Sequence, residues 1–247
     1  MEGETCEGET CVANDEATER ALDASMTRDR PASTGQRGSF LGFVAHEMRN
    51  PLSTALWSAE LLVRLSTEER GGARGEKLSG MCLRSLQRLR MLVEDHFLAE
   101  RLEAGGIPFR MESVPVRETL ATVAAKAGVA DLRPDIEEHL AVWVDRGLFE
   151  RALDGLLAAS AREGSPVSVD ARRVRDVALV RVRGAPPVPN ALEVPQKGTA
   201  SDPTGRALAL HMVVLIAQAL GGSVSATQED YLLVVPLAAA GTQSAAP

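Results

Sequence analysis

A histidine, an acid and an amide lie close together in His46-Glu47-Met48-Arg49-Asn50, followed by Pro51-Leu52. A neutral imidazole is a competent nucleophile near neutral pH. A carboxylate beside it can orient the ring, or take its second proton as the free nitrogen attacks phosphorus. Asn50 falls one helical turn beyond His46, on the same face, where its amide can hold a water or an acceptor group. Arg49 can steady a transferred phosphoryl group or pair with an acid on a neighbour. By spacing alone, the same residues also describe an ordinary exposed helical histidine, so the surrounding elements decide.

Those elements are helical. Leu41, Ala45, Met48, Leu52, Ala55, Ala59 and Leu62 recur at steps of four and three, which predicts a helix over 39–65 with a heptad-like seam. Ala45 and Met48 are its core positions, which puts His46 at the edge of the stripe. Pro51 removes one backbone donor and predicts a bend. Gly71-Gly72-Ala73-Arg74-Gly75 predicts a hairpin loop. A second helix follows over 76–102, with Leu78, Cys82, Leu86, Leu89, Val93 and Phe97 on one face and Arg84, Arg88, Arg90 and Arg101 on the other. Gly105-Gly106 ends it. An isolated hairpin cannot bury both stripes well, and two copies can, as a dimeric four-helix bundle. A homodimer built on 38–104 is therefore expected.

Composition narrows the setting. Of 247 residues, 45% are hydrophobic but only 3% aromatic, so the core must be aliphatic. A net charge of −7 argues against nucleic acid as a main partner, since phosphate neutralisation needs a basic surface. Three cysteines show no paired framework, and no apolar run approaches the roughly 20 residues of a membrane-spanning helix. A reducing cytoplasm, no signal peptide and no sensor domain ahead of the hairpin are the expectations. Residues 1–37 are acidic and poor in bulky apolar side chains, which predicts a disordered tail. Cys6 and Cys11 sit in it without further ligands nearby, so no metal site is expected there.

The remainder predicts a two-layer α+β domain over 107–237 with antiparallel neighbours. Helices are expected over 117–127, 146–162 and 205–220. Strands are expected over 140–144, 167–171, 177–182, 224–226 and 231–236, with a long Pro/Gly/Ala-rich loop over 184–203. Residues 238–247 read as a flexible tail. Trp57 and Trp143 read as packing residues. His96, His139 and His211 read as structural histidines.

The stretch His46-Glu47-Met48-Arg49-Asn50-Pro51-Leu52-Ser53 closely resembles the H-box of bacterial sensor histidine kinases, at every fixed position of the pattern. Arg88-Leu89, Val93-Glu94-Asp95 and Arg101-Leu102-Glu103-Ala104-Gly105 resemble the end of that family's dimerisation and phosphotransfer hairpin. The resemblance implies that His46 is the phosphorylated residue, that Glu47 is its acid/base partner, and that Asn50 assists dephosphorylation of a response regulator. It also implies the fold class, α + α/β: a helical hairpin forming a dimeric four-helix bundle, followed by a Bergerat-type α/β sandwich. Val142-Trp143-Val144-Asp145 resembles the strand and acid before the family's N-box helix. Ala219-Leu220-Gly221-Gly222 resembles the turn after its last helix.

The catalytic motifs of that second domain depart from the family. Ala159 stands where the resemblance places a magnesium-holding Asn. Arg183 stands at the adenine-binding Asp, and Ala185 and Pro187 stand at two glycines. Gly205 is retained, while Ala207 and Ala209 replace further small-residue positions. Alanine offers magnesium no oxygen, arginine cannot accept a hydrogen bond, and proline removes a donor and fills space. The expectation is a histidine phosphotransfer protein of a phosphorelay. In it His46 exchanges a phosphoryl group with receiver aspartates, no cofactor or metal is bound by this chain, ATP is not bound, and Mg²⁺ is supplied by the partner receiver. Arg49, Arg84 and Arg88 are the expected docking residues. Three other readings fit the same residues: a divergent active kinase, a pseudokinase that dephosphorylates or sequesters a receiver, and a partner phosphorylated by an upstream histidine kinase.

Overall fold

A computed structural model describes residues 34–129, 131–161, 166–187, 190–193 and 206–238. The element order is α1 (Thr34–Arg64), α2 (Thr67–Arg70), α3 (Ala73–Glu103), β1 (Met111–Pro115), α4 (Val116–Ala127), β2 (Leu132–Ile136), β3 (Ala141–Asp145), α5 (Arg146–Ser160), β4 (Val167–Val174), β5 (Val177–Arg183), α6 (Arg206–Ala219), β6 (Ser223–Ala226) and β7 (Asp230–Pro236). The chain divides into two units, one containing the α1–α3 hairpin and the other the strands with α4, α5 and most of α6. Cys6, Cys11, Gly205 and the residues after 238 lie outside the described residues, as does all of the expected N-terminal tail except 34–37, which open α1.

In the hairpin, α1 and α3 are each 31 residues long. Val44, Glu47, Ala55 and Ser58 of α1 and Leu65 just beyond it are buried, with Pro51 and Leu62 half-buried between them. Their steps of three and four define one face. Leu78, Leu92, Asp95 and Ala99 form the buried face of α3. This corrects the expected seam. Leu41, Ala45 and Leu52 are exposed, and Leu56 (56% exposed) and Val63 (77%) extend the same stripe. On α3, Leu83, Leu86 and Phe97 are likewise exposed. The hairpin thus carries two neighbouring stripes, one packed within the chain and one open.

The turn is also tighter than expected. Ser66 caps α2 in a reciprocal box: its Oγ accepts from the Glu69 backbone N–H at 3.3 Å, and a Glu69 oxygen accepts from the Ser66 N–H at 3.2 Å. These bonds, with Arg74 nearby, hold the Glu69 carboxyl below its ordinary range. α3 then begins at Ala73, so Gly75 belongs to the helix rather than to the loop. A Cβ on Gly75 would stand 2.0 Å from the Arg70 carbonyl oxygen. This glycine allows a close approach of the turn instead of breaking the helix.

In the second unit, five strands are ordered β2-β4-β5-β7-β6, and β1 and β3 form a separate antiparallel pair. β2 runs parallel to β4, which corrects the expectation of antiparallel neighbours throughout. The two strands not foreseen, β1 and β2, are five residues each. Pro134 in β2 is tolerated because that strand is the sheet edge. Val180 and Val182 of β5, Leu233 and Val235 of β7, and Phe149, Leu153 and Leu156 of α5 are fully or almost fully buried. Alternation puts Leu179, Leu232 and Val234 on the other side of the sheet, where they cluster with Val174 and Val177.

His211 of α6 is buried, and burial pushes its pKa down from 6.5 to about 4. The unfolded chain protonates this ring near pH 6.5, the folded chain only near pH 4. Stability is therefore fully present above pH 6.5 and falls as pH drops toward 4, by about 3 kcal/mol over the window. Urea unfolding across that range is expected to show the slope, and His211→Leu to lose this share of it relative to wild type.

Candidate functional site

His46 is 49% exposed, and its Nδ1 lies 3.5 Å from the Glu47 Oε1. That is a contact between the groups but longer than a good hydrogen bond. Glu47 is only 7% exposed, on the same face as Val44 and Ser58, and its Oε1 is sealed from solvent without a hydrogen-bond partner. The two neighbours thus point to different sides of α1, the imidazole outward and the carboxylate inward. With Nδ1 turned toward Glu47, Nε2 is the ring nitrogen left for attack.

Asn50 and Arg49 are both exposed, and Asn50 shares the outward strip with His46. Ser53 and Trp57 continue that strip at steps of three and four. Trp57 is 53% exposed, so it is not the packing residue the sequence suggested. On α3, Arg84 is exposed and Arg88 half-buried. Glu47 differs from the other predicted residues of this site in its surroundings: adjacency to His46 was legible, burial between two helices was not.

The other predicted site lies at the ends of α5 and β5. Asp145 caps α5, its Oδ1 accepting from the Leu148 N–H at 3.2 Å, while its Oδ2 accepts from the Arg110 N–H at 3.0 Å. Beside it, Arg146 Nε meets Glu112 Oε1 at 2.7 Å. Residues more than thirty positions apart meet in this charged recess, and no local pattern could have signalled it. At the far end of α5, Ala159 and Ser160 are buried. The Ala185 N–H donates to the Ser160 carbonyl at 2.7 Å. A Cβ on Gly184 would stand 2.2 Å from that same oxygen. The turn after β5 is thus laid directly on the end of the helix. Arg183 faces Asp230 across the β5–β7 ladder, Nε to Oδ2 3.4 Å, and Arg181 reaches the same oxygen at 3.4 Å. Ala185 is buried and Pro187 half-buried, while Asp154 is exposed. The structure brings Ala159 and Ala185 to one place, through Ser160. It turns the Arg183 side chain to Asp230. Among the described residues, no three His, Cys, Asp or Glu side chains gather as a metal site.

Residues 36–105 match the sequence family of the His Kinase A (phospho-acceptor) domain, and His46 lies within the match. The chain is also 34% identical over 139 residues to the sensor protein CseC of Streptomyces avermitilis, across 54% of this chain and 26% of that protein. The hairpin is thus similar to the phospho-acceptor domain of histidine kinases. The chain spans about a quarter of the length of that curated relative. Its fold is shared with the histidine kinase AdeS of Acinetobacter baumannii, with a TM-score of 0.61 at 17% identity, covering 78% of this chain and 98% of that one. It is also shared with the histidine kinase ThkA, solved in complex with the response regulator protein TrrA. That TM-score is 0.56 at 18% identity, covering 79% of this chain and 60% of that one. Among the described residues, no helix is long and apolar enough to cross a membrane.

The Gly184 contact makes a direct test of the α5–β5 junction. Gly184→Ala is expected to lower the unfolding free energy by about 1–3 kcal/mol, the range for forcing a methyl into a filled space. Urea denaturation reads it.

Proposed function

We propose that this chain is a histidine phosphotransfer protein of a phosphorelay, with His46 exchanging a phosphoryl group with receiver aspartates. The observation that carries the reading is the pairing of an exposed His46 with a chain that lacks the family's nucleotide donors. Ala159 offers no oxygen, Arg183 is engaged with Asp230, and the Ala185 N–H is taken by Ser160. This donor set does not fit a magnesium–nucleotide, because Mg²⁺ requires oxygen ligands in near-octahedral array.

The transfer then runs as follows. The lone pair of His46 Nε2 attacks the phosphorus of an aspartyl phosphate on the receiver. The N–P bond forms, the P–O bond to the aspartate breaks, and the carboxylate leaves with its electron pair. The ring carries positive charge while Nδ1 keeps its proton, and the Glu47 carboxylate at 3.5 Å is placed to stabilise that charge or take the proton. A second receiver's aspartate reverses the step. Asn50, on the same strip, is placed to orient the acceptor, and Arg49 to pair with phosphoryl oxygens. The Mg²⁺ belongs to the receiver.

The open stripe of Leu41, Leu52, Leu56 and Val63, with Leu83, Leu86 and Phe97, supports a homodimer through the hairpin. Leu56→Glu is expected to convert the dimer to monomer in light scattering. The cytoplasm is the setting that fits receiver partners.

The relay reading is tested by mixing purified protein with a panel of receiver domains loaded with acetyl phosphate. Acid-labile phosphate should move to wild type, and none should reach His46→Gln. A parallel titration with Mg·ATP is expected to show no binding up to millimolar nucleotide. Micromolar binding followed by label on His46 would establish an active kinase and overturn the reading.

A further inference from the structure

Leu179, Leu232 and Val234 form a buried cluster on the face of the five-stranded sheet that turns away from α5, with exposures of 6%, 1% and 1%. Among the described residues, the partly buried hydrophobics packed against it are Val174 and Val177, which belong to the same sheet. Side chains stand roughly perpendicular to a sheet, so neighbours within the layer shield their flanks and leave their tips in water. An exposure of 1% at the centre of the face therefore requires a second layer above it.

The stretches outside the described residues differ in what they can supply. Residues 162–165 and 239–247 hold no bulky apolar side chain, and 194–205 holds Val194 alone, next to the described Glu193. Residues 1–33 are the longest stretch and hold Val12, Leu22 and Met26. Thr34 opens α1 and Glu103 closes α3. In an antiparallel hairpin, the segment before Thr34 and the chain leading to β1 therefore depart from the same end.

The sequence of this segment matches the face. Asp15, Glu19, Leu22 and Met26 recur at steps of four, three and four, one stripe of a helix, acidic in its first half and apolar in its second. Asn14, a favoured N-cap type, precedes it. Along β5 the sheet has the same order: Arg183 and Arg181 at one end, Leu179 and Val177 at the other, with Leu232 and Val234 beside them on β7. Both arginines meet one carboxylate, that of Asp230, so this end carries more positive than negative charge. Eleven residues of helix span about 16 Å, and the six steps of strand from Arg183 to Val177 span about 20 Å. A segment this acidic and poor in apolar residues does not order by itself, and a preformed apolar face supplies the burial it lacks.

We propose that residues 14–26 dock as an amphipathic helix on the outer face of the sheet of their own chain. Asp15 and Glu19 lie toward Arg181 and Arg183, and Leu22 and Met26 cover Leu179, Leu232 and Val234. The proposal is independent of the phosphotransfer reading. Its consequence is that an apolar face large enough to attract other chains is closed by the protein's own N-terminal segment.

The test uses the full chain with Cys6, Cys11 and Cys82 changed to serine and a short bis-maleimide cross-linker. Ser25→Cys, beside the stripe, is combined with Ser225→Cys, which stands opposite Leu232 on β6. In a second chain it is combined with Thr122→Cys, at an exposed position of α4, the helix packed on α5. The pair at 25 and 225 is expected to link within one chain at least about 10-fold more than the pair at 25 and 122, because docking raises the local concentration. Adding Leu22→Asp with Met26→Asp is expected to bring the two yields together. Equal yields with Leu22 and Met26 intact overturn the proposal, and so does a selective link that survives both aspartates. Mixing light and heavy-isotope chains separates links within a chain from links between chains, and a link confined to the latter also overturns it.

Discussion

The packing of α1 against α3 is the constraint on which the hairpin depends. Once Val44, Ala55 and Ser58 face α3, every other residue of α1 has its direction assigned by the 3.6-residue turn. His46 must point outward, and Glu47, one residue on, must point between the helices. The inward turn of Glu47 has a cost, because a buried carboxylate without a hydrogen-bond partner loses hydration that nothing replaces. A purely structural hairpin would favour an apolar residue there. An acid held against the Nδ1 of an exposed histidine is the arrangement a nucleophilic imidazole requires. Local stability and chemistry are in conflict at this residue, as at many functional sites.

The second unit shows the reverse. Its elements are mutually consistent: Asp145 caps α5, the α5 stripe of Phe149, Leu153 and Leu156 is fully buried, and β5 and β7 each bury apolar residues on both faces. Where the family relatives suggested by the sequence need oxygen donors and open space, this chain has alanine, a paired arginine, and a turn seated on a helix end. The Gly184–Ser160 approach is closed by backbone atoms, which side-chain rotation cannot reopen. The domain keeps the packing of its fold, and in the proposed relay its contribution is a surface rather than a reaction.

Much of this was legible in the sequence, because helix periods and short motifs are local. The boundaries of α4, α5, β5 and β7 fall within a few residues of those read from apolar spacing. β1 and β2 were not legible. β1 is only five residues long, and β2 is an edge strand broken by Pro134, so neither displays an alternation strong enough to register. Gly75 looked like a loop residue because glycine in sequence cannot distinguish a breaker from a close approach.

By itself the sequence determined the chemistry available at His46 and the two-helix organisation that carries it, since residue type and spacing suffice for both. Only the tertiary structure decided which of two adjacent apolar stripes faces α3, that Glu47 is buried while His46 is not, and that Trp57 stands in solvent. The physical reason is that a helix with apolar residues at both sets of positions has two admissible faces. Which is buried depends on the shape of the partner helix, a contact between residues far apart in the chain that no periodicity within one helix encodes.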